Sequence, residues 1–410
     1  MSDPSTDRYD VAIVGGGMVG ASLALALSHT RLRTLVIEAV APDSLSQPSF
    51  DDRATALGNG ARRILETLSV WGAIAPHSAA IREVHVSEAG RPGAARLTAS
   101  EHGLDALGFT VSNRHIGAAL WKGLRSAPPS RITNLSPAKV TGVTFGDDAA
   151  RLRVTGKDTE LDVEARLVVA ADGAHSLVKQ AAGIESDERS YDQIAVVANV
   201  ATDRPAAGVA YERFAGSGPL AMMPRHDGSY TVIWALPTAR APLLRDASAE
   251  EFARELQAAF GWRAGRIERA GQRSSYPLAL VRARASTARR VAVIGNAAQT
   301  LHPVAAQGYN LGLRDAAVLA ELVGSADDAG AATVLEEFAR RRAADRDGMI
   351  RFTDQLVQLF NSRRPTTIAA RNLGLLLFDA APMAKQALSR LSWGFGGSLP
   401  RLSRGLPLDP

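Results

Sequence analysis

Two widely separated glycine-rich segments hold the residues of this chain that could do chemistry. In the first, Gly15-Gly-Gly17-Met18-Val19-Gly20 follows the apolar run at 9–14 (YDVAIV) and leads into ASLALALSH. Each glycine has its own task in phosphate binding. Gly15 permits a tight turn, Gly17 lets backbone approach a pyrophosphate, and Gly20 lets helix and strand pack closely. The helix that starts at Met18 and Val19 would offer unpaired N–H groups and a partial positive charge to that pyrophosphate. Glu38 closes the next apolar run and can accept both hydroxyls of an adenosine ribose, while repelling a 2′-phosphate. The chemistry fits FAD or NAD rather than NADP, and this motif alone does not separate the two.

The second segment is residues 291–315, VAVIGNAAQTLHPVAAQGYNLGLRD. A buried strand over 289–294 turns at Gly295-Asn296-Ala-Ala-Gln299 toward a helix that begins near Gly308. Pro303, Gly308, Asn310 and Gly312 make the connection tight and leave backbone amides exposed. The segment resembles the second flavin motif of the aromatic-ring hydroxylases, single-component FAD monooxygenases with the para-hydroxybenzoate hydroxylase fold. The resemblance implies that Gly295 and Asn296 lie along the ribityl chain. It also implies that the loop from Pro303 to Gly308, Tyr309 and Asn310 passes beside the isoalloxazine. Asn296 stands where the family usually has Asp, and Gln299 where it usually has His. That variant resembles the ubiquinone-biosynthesis branch, the polyprenyl-phenol hydroxylases.

Three further places carry the same resemblance, which spans roughly residues 8–395. Residues 50–57 (FDDRATAL) imply that Arg53 lies near the cofactor phosphates. Residues 168–179 (VVAADGAHSLVK) resemble the family's central Asp-Gly motif, in which Asp172 and Gly173 serve FAD and a passing NAD(P)H. Lys179 replaces the Arg that usually ends it, and a lysine cannot make the bidentate contact an arginine makes. Ser112-Asn-Arg114 resembles a helix start whose Arg reaches the ribityl or pyrophosphate portion. His302, inside the second segment, is expected to bond locally rather than act as a base.

The elements that must hold these residues can be read coarsely. The expected fold is α/β: a Rossmann-like FAD-binding domain with an inserted antiparallel-sheet substrate domain and a helical C-terminal region. The FAD-binding domain would take residues 1–80, 104–180 and 283–348, the substrate domain 81–103 and 181–282, and the helical region 349–410. Residues 81–88 alternate, as a half-buried strand does. Runs at 220–225 and 229–236 flank His226-Asp227-Gly228 and predict a hairpin turning at Asp-Gly. Phe214, Met223 and Trp234 are the apolar candidates for the substrate wall. Residues 313–348 read as helical.

Composition closes off several function classes. The chain has no cysteine, which excludes disulfides, thiolate metal sites, a cysteine nucleophile and flavin attachment through sulfur. Its eight histidines are scattered without metal-ligand spacing, so no metal is expected. No apolar run reaches the ~18–20 residues of a spanning helix, and the polar start MSDPSTDRYD is unlike a signal peptide. Residues 351–410 hold eight Lys/Arg (Arg351, Arg363, Arg364, Arg371, Lys385, Arg390, Arg401, Arg404) against three Asp, so the tail is basic and the body nearly neutral. That balance suits an anionic membrane surface or an acidic partner better than nucleic acid. A cytoplasmic protein, peripheral on the inner face of the membrane, is the expectation.

The resemblance implies an activity. NAD(P)H reduces the FAD, dioxygen forms a flavin C4a-hydroperoxide, and the ring of a polyprenylated phenol is hydroxylated. A ubiquinone-biosynthesis complex is a possible partner. Alternatives are a same-fold enzyme for another aromatic or alkene, and a flavin-holding assembly subunit. No phenol-activating base can be named from the sequence.

Overall fold

In the computed structural model, residues 7–408 are described except 45, 46, 48, 158, 363 and 395–398. The N-terminal hexapeptide and Arg363 of the basic tail therefore lie outside the described residues. The first sheet runs Thr287–Ala288, Val291–Val293, Glu160–Ala170, Asp7–Val14, Thr34–Ile37, Ile132–Leu135. Along this path the neighbours from Val291–Val293 onward are parallel, while Ala150–Thr155 joins Glu160–Ala170 antiparallel and carries Lys139–Phe145 beyond it. Val11, Ala12 and Ile13 are fully buried, because helices cover one face of the sheet and a second apolar layer covers the other. Helix Met18–Leu27 is buried from Gly20 to Leu27, as befits a helix apolar on every side.

Register brings the strand ends together. Val14 lies opposite both Ala170 and Ile37. The chain leaves the sheet at the same level in each case, and backbone bonds lock the exits together. Gly15 N–H donates to Ile37 O at 2.8 Å, Ala171 N–H to Val14 O at 2.8 Å, and Ile294 N–H to Ala170 O at 3.0 Å. Gly15, Glu38, Asp172 and Gly295 thus meet at the carboxyl edge of a parallel sheet, where open α/β folds bind their ligands.

The second sheet has eight strands, in the order Gln299–Thr300, Ile267–Ala283, Ser186–Thr202, Tyr230–Pro237, Gly218–Pro224, Val209–Ala215, Glu83–Glu88, Ala94–Thr98. All neighbours are antiparallel except Val209–Ala215 with Glu83–Glu88. The expected hairpin is present, with Arg225 N–H bonded to Ser229 O at 2.9 Å and Gly228 at φ +80°. Helices Ala241–Asp246 and Ala249–Phe260 pack on one face of this sheet, burying Trp234, Phe252, Leu256 and Phe260. A three-stranded sheet of Ala54–Gly58, Gly108–Ser112 and Ser78–Ile81 had no counterpart in the sequence reading.

The helical stretch expected over 313–348 is two helices, Gly308–Gly324 and Ala332–Asn361. Between them Asp328 receives the Arg290 guanidinium at 2.6 Å, and a Cβ on Gly330 would fall 2.0 Å from Arg166 O. The second helix runs through position 348 and is followed by Pro365–Asp379 and Pro382–Ser392. These last two helices dock by polar anchors. Arg371 forms a buried pair with Glu88, Lys385 lies 3.1 Å from Glu101, and the Trp393 indole donates to Leu107 O at 2.8 Å. Two of the tail's basic residues are therefore neutralised by the body.

Candidate active site

A cavity of about 870 Å³ opens between the carboxyl edge of the parallel sheet and one face of the second sheet. Its nucleotide end is made of backbone. Gly15 sits at φ +102°, and a Cβ there would lie 2.4 Å from Ala171 O. A Cβ on Gly20 would lie 1.9 Å from Gly15 O, so the first helix can approach the turn only because this residue has no side chain. Gly17 lines the cavity and caps the helix without a side-chain hydrogen bond. The first-turn N–H groups at Met18 and Val19 are thereby left for an anion.

Glu38 is buried, and its carboxylate already holds the loop. Oε2 accepts from Gly16 N–H at 2.6 Å, while Oε1 accepts from Val40 N–H at 2.9 Å and Gln47 Nε2 at 3.2 Å. From the other side the Trp121 indole donates to Gly16 O at 2.9 Å. Neither Gln47 nor Trp121 was singled out from the sequence, because each acts on the loop from a distant segment.

Asp172 lines the same cavity. Its Oδ2 accepts from Leu177 N–H at 3.0 Å, whereas Oδ1 is buried with no partner among the described residues, and burial raises its pKa. An orphaned carboxyl oxygen at this edge is a group awaiting a donor, such as a ribityl hydroxyl. Lys179 turns inward and donates to Ala174 O at 2.9 Å, so it props the Asp-Gly turn. Arg53 reaches the cavity, pairs with Asp51 and lies 5.3 Å over the Tyr276 ring. Arg114 does not. It is half exposed and pairs with Asp52 at 3.1 Å, while its neighbour Asn113 lines the cavity. One helical residue is a rotation of about 100°, which is enough to turn Arg114 outward.

The second glycine-rich segment abuts the first. Gly295, at φ +60°, would put a Cβ 3.1 Å from Val19, and a Cβ on Gly312 would come within 2.7 Å of it. Val19 itself, Asn296, Pro303, Gly308 and Tyr309 line the cavity. Tyr309 also shares a 3.0 Å hydrogen bond with Ser22 of the first helix. Asn310 is turned behind the loop. Its Oδ1 accepts from Gly58 N–H at 2.9 Å, and its Nδ2 donates to Ala56 O and Ala306 O, each at 2.8 Å. It fastens the loop to the strand that follows Arg53. Gln299 is likewise behind the loop, donating at 2.9 Å to Asp315, which accepts from Arg342 at 2.7 Å.

His302 lines the cavity and is almost fully buried, which pushes its pKa down to about 4. Nδ1 accepts from Val304 N–H at 3.2 Å, so the neutral ring carries its proton on Nε2, which has no hydrogen-bond partner among the described residues. The expected local bond is present.

The ring end of the cavity is walled by the second sheet, through Val84, Ala210, Glu212, Ala221, Met223, Ile233, Tyr276 and Leu278. Of the three apolar candidates for the wall, Met223 lines the cavity. Trp234 does not. It points to the opposite face, 6.4 Å from Phe252, and Ile233 takes its place on the wall. Successive strand residues face opposite ways, and here both faces are buried, so the apolar pattern did not reveal the phase. Phe214 is on the cavity-side face but stacks on Phe360 at 3.4 Å and is covered by the long helix. Glu212 was missed, although a lone carboxyl inside AYERF was the available signal.

The residues present fit FAD. Backbone amides and an uncapped helix start suit a pyrophosphate, Glu38 a ribose, Asp172 and Asn296 a polyol, and Pro303 with Gly308 a flat ring. A family described as FAD binding domain matches residues 8–353. The chain is 35% identical to ubiquinone hydroxylase UbiL of Rhodospirillum rubrum over 98% of its own length and 95% of the relative's. It is 30% identical to 3-demethoxyubiquinol 3-hydroxylase of Escherichia coli, covering 94% and 98%. Among solved structures, p-nitrophenol 4-monooxygenase PnpA of Pseudomonas putida DLL-E4 shares the fold with a TM-score of 0.77 at 20% identity, over 94% and 97% of the two chains. This chain belongs to the FAD-dependent aromatic-ring hydroxylases, in the branch that includes the ubiquinone hydroxylases, and is a flavoprotein monooxygenase.

Proposed function

We propose that the chain hydroxylates the aromatic ring of a polyprenylated phenol in ubiquinone biosynthesis, with NAD(P)H as transient reductant and dioxygen as co-substrate. The observation that carries this reading is the continuity of one cavity, from the Gly15–Met18 turn to an apolar wall on the second sheet. The near full-length likeness to ubiquinone hydroxylases supports it. Bound FAD would supply the redox chemistry and oxygen activation. Gly17, Met18, Val19 and Arg53 would hold its phosphates, Glu38 its adenosine ribose, and Asp172 with Asn296 its ribityl chain. Pro303, Gly308 and Tyr309 would border the ring.

The chain's own contribution is positioning and exclusion of water. Met223, Ile233 and Leu278 give the ring an apolar face, and a closed apolar chamber disfavours hydrolytic side reactions. Among the described residues that line the cavity the Lys and Arg are Lys139, at the nucleotide end beside Ala138 and Val140, and Arg53, which is already paired with Asp51 and stacked on Tyr276. An aromatic acid would meet Glu212 there without a free cation. A neutral phenol meets no such penalty.

Domain division follows the same reading: a discontinuous FAD-binding domain from 1–80, 104–180 and 283–348, and a substrate domain from 81–103 and 181–282. No helix among the described residues is long and apolar enough to cross a membrane. The last two helices nonetheless expose Leu373, Leu376, Leu377 and Met383, with Arg364 and Arg390 also exposed. That combination supports contact with an anionic membrane surface on the cytoplasmic side, where the prenylated substrate would reside.

The test is a quinone profile of a strain lacking the gene, joined to NAD(P)H oxidation by the purified FAD-loaded protein. The expected result is an accumulated prenylphenol short of one ring hydroxyl, and oxidation stimulated by that phenol with an oxygenated product. A normal profile and no stimulation by any prenylated phenol would overturn the reading.

A further inference from the structure

Glu212 is the feature of the chamber for which the nucleotide site has no use. It lies on strand Val209–Ala215, opposite Ala221, which in turn pairs with Ile233, so it shares the cavity face with both. Its partial exposure is to the cavity, and its carboxyl has no hydrogen bond or ion pair among the described residues. The adjacent Arg213 points through the sheet, donating to Ser87 Oγ at 3.1 Å and to Ala259 O at 3.4 Å.

We propose that Glu212 is the specificity-determining residue for the phenol, its carboxyl hydrogen-bonding the ring hydroxyl and thereby setting which carbon faces the flavin. The inference deepens the hydroxylase reading above and rests on it. Burial alone pushes the carboxyl up to about 8, so at pH 7 it is mainly protonated. A protonated carboxyl both donates and accepts, and costs far less to bury in an apolar wall than a carboxylate. It can receive a phenol O–H through its carbonyl oxygen and donate to a neighbouring ring oxygen. A glutamine in its place would keep both capacities, and an aliphatic residue neither. An unmet polar group among apolar contacts is the arrangement that rejects a substrate lacking its partner.

The test uses the full-length FAD-loaded protein with 2-farnesylphenol and its methyl ether, which has no O–H to donate. Binding is read at pH 7 from the change in flavin absorbance, with bound FAD and melting temperature measured for every variant. Wild type should bind the phenol about tenfold more tightly than the ether, the scale of one net hydrogen bond. Glu212→Gln should keep that preference within about threefold, and Glu212→Leu should reduce it to near unity with FAD still bound. Glu212→Met serves as the second aliphatic variant should the leucine fail to fold.

An aliphatic variant that retains the wild-type preference overturns the proposal. So does a wild type with no preference, or a Glu212→Gln that loses as much as the leucine, since the group would then be acting through its charge. A Glu212-dependent preference without any hydroxylated product supports this recognition and removes the hydroxylase reading instead.

Discussion

The two ends of the cavity are built from different materials. The nucleotide end is backbone held by glycines, a helix start and one carboxylate, each within a few residues of a strand end. The ring end is side chains from five strands of the second sheet, whose identities are mostly small and apolar. Backbone sites tolerate almost no change because their geometry is the absence of a side chain. Side-chain sites tolerate exchange, and so can be retuned for a different ring.

This contrast can be broken most severely inside the first motif. Gly20→Ala would place a Cβ 1.9 Å from Gly15 O, a backbone atom that cannot step aside. Loss of soluble, FAD-binding protein is expected on expression. Gly17→Ala is the control, since its Cβ would approach the flexible Ser49 Oγ at 3.0 Å. That variant should fold with an unchanged melting temperature yet bind FAD at least tenfold more weakly, on the order of 1.4 kcal/mol. Equal behaviour of the two would mean that the motif's glycines do not divide their tasks as assigned.

At the ring end, the two faces of one strand make the next comparison. Trp234→Ala should cost about 3–5 kcal/mol of stability in denaturant unfolding, as expected for a buried aromatic, with little change in substrate KM for whatever remains folded. Ile233→Ala, one residue away, should cost less stability and raise KM, because its side chain borders the cavity. A KM effect from Trp234 and none from Ile233 would reverse the assignment of faces.

The smallest effect is at the joint between the two ends. His302 is held neutral by burial, with its pKa lowered to about 4 against about 6.5 unfolded. The unfolded state therefore takes up its proton first as pH falls. Stability tied to this residue is intact above about pH 6.5 and is lost on the way down to pH 4, with about 2–3 kcal/mol at stake. Denaturant unfolding at pH 7 and pH 4.5 should show that extra loss in wild type and a flatter profile in His302→Gln, whose Oε1 can still accept from Val304 N–H. Identical pH profiles would show that His302 does not feel its burial.

Much of the nucleotide end was legible because its requirements are local. A strand, a glycine turn and a helix occupy consecutive residues, so Gly15, Gly17, Gly20 and Glu38 could be named with their tasks, and the structure puts each beside the cavity or beneath its turn. The ring end was legible only in outline. An antiparallel sheet could be expected, but which face of a doubly buried strand meets the ligand depends on what packs behind it. Trp234 lies behind the sheet for that reason, whereas Phe214 is on the cavity-side face and is covered by Phe360 of the long helix. Arg114 differs again, since it pairs with Asp52 outside the cavity lining while the preceding Asn113 lines it.

The sequence by itself determined a dinucleotide site, the order of the motifs and the presence of two kinds of sheet, since hydrophobic period and glycine spacing act over short stretches of chain, while the choice of FAD rested on the family resemblance of the second segment. Tertiary structure alone decided that Gly295 and Gly312 close against Val19, that Asn310 and Gln299 work behind the loop, and that Glu212 lines the ring chamber without a partner among the described residues. Those relations join residues distant in the chain, and only packing settles which of many compatible neighbours they meet.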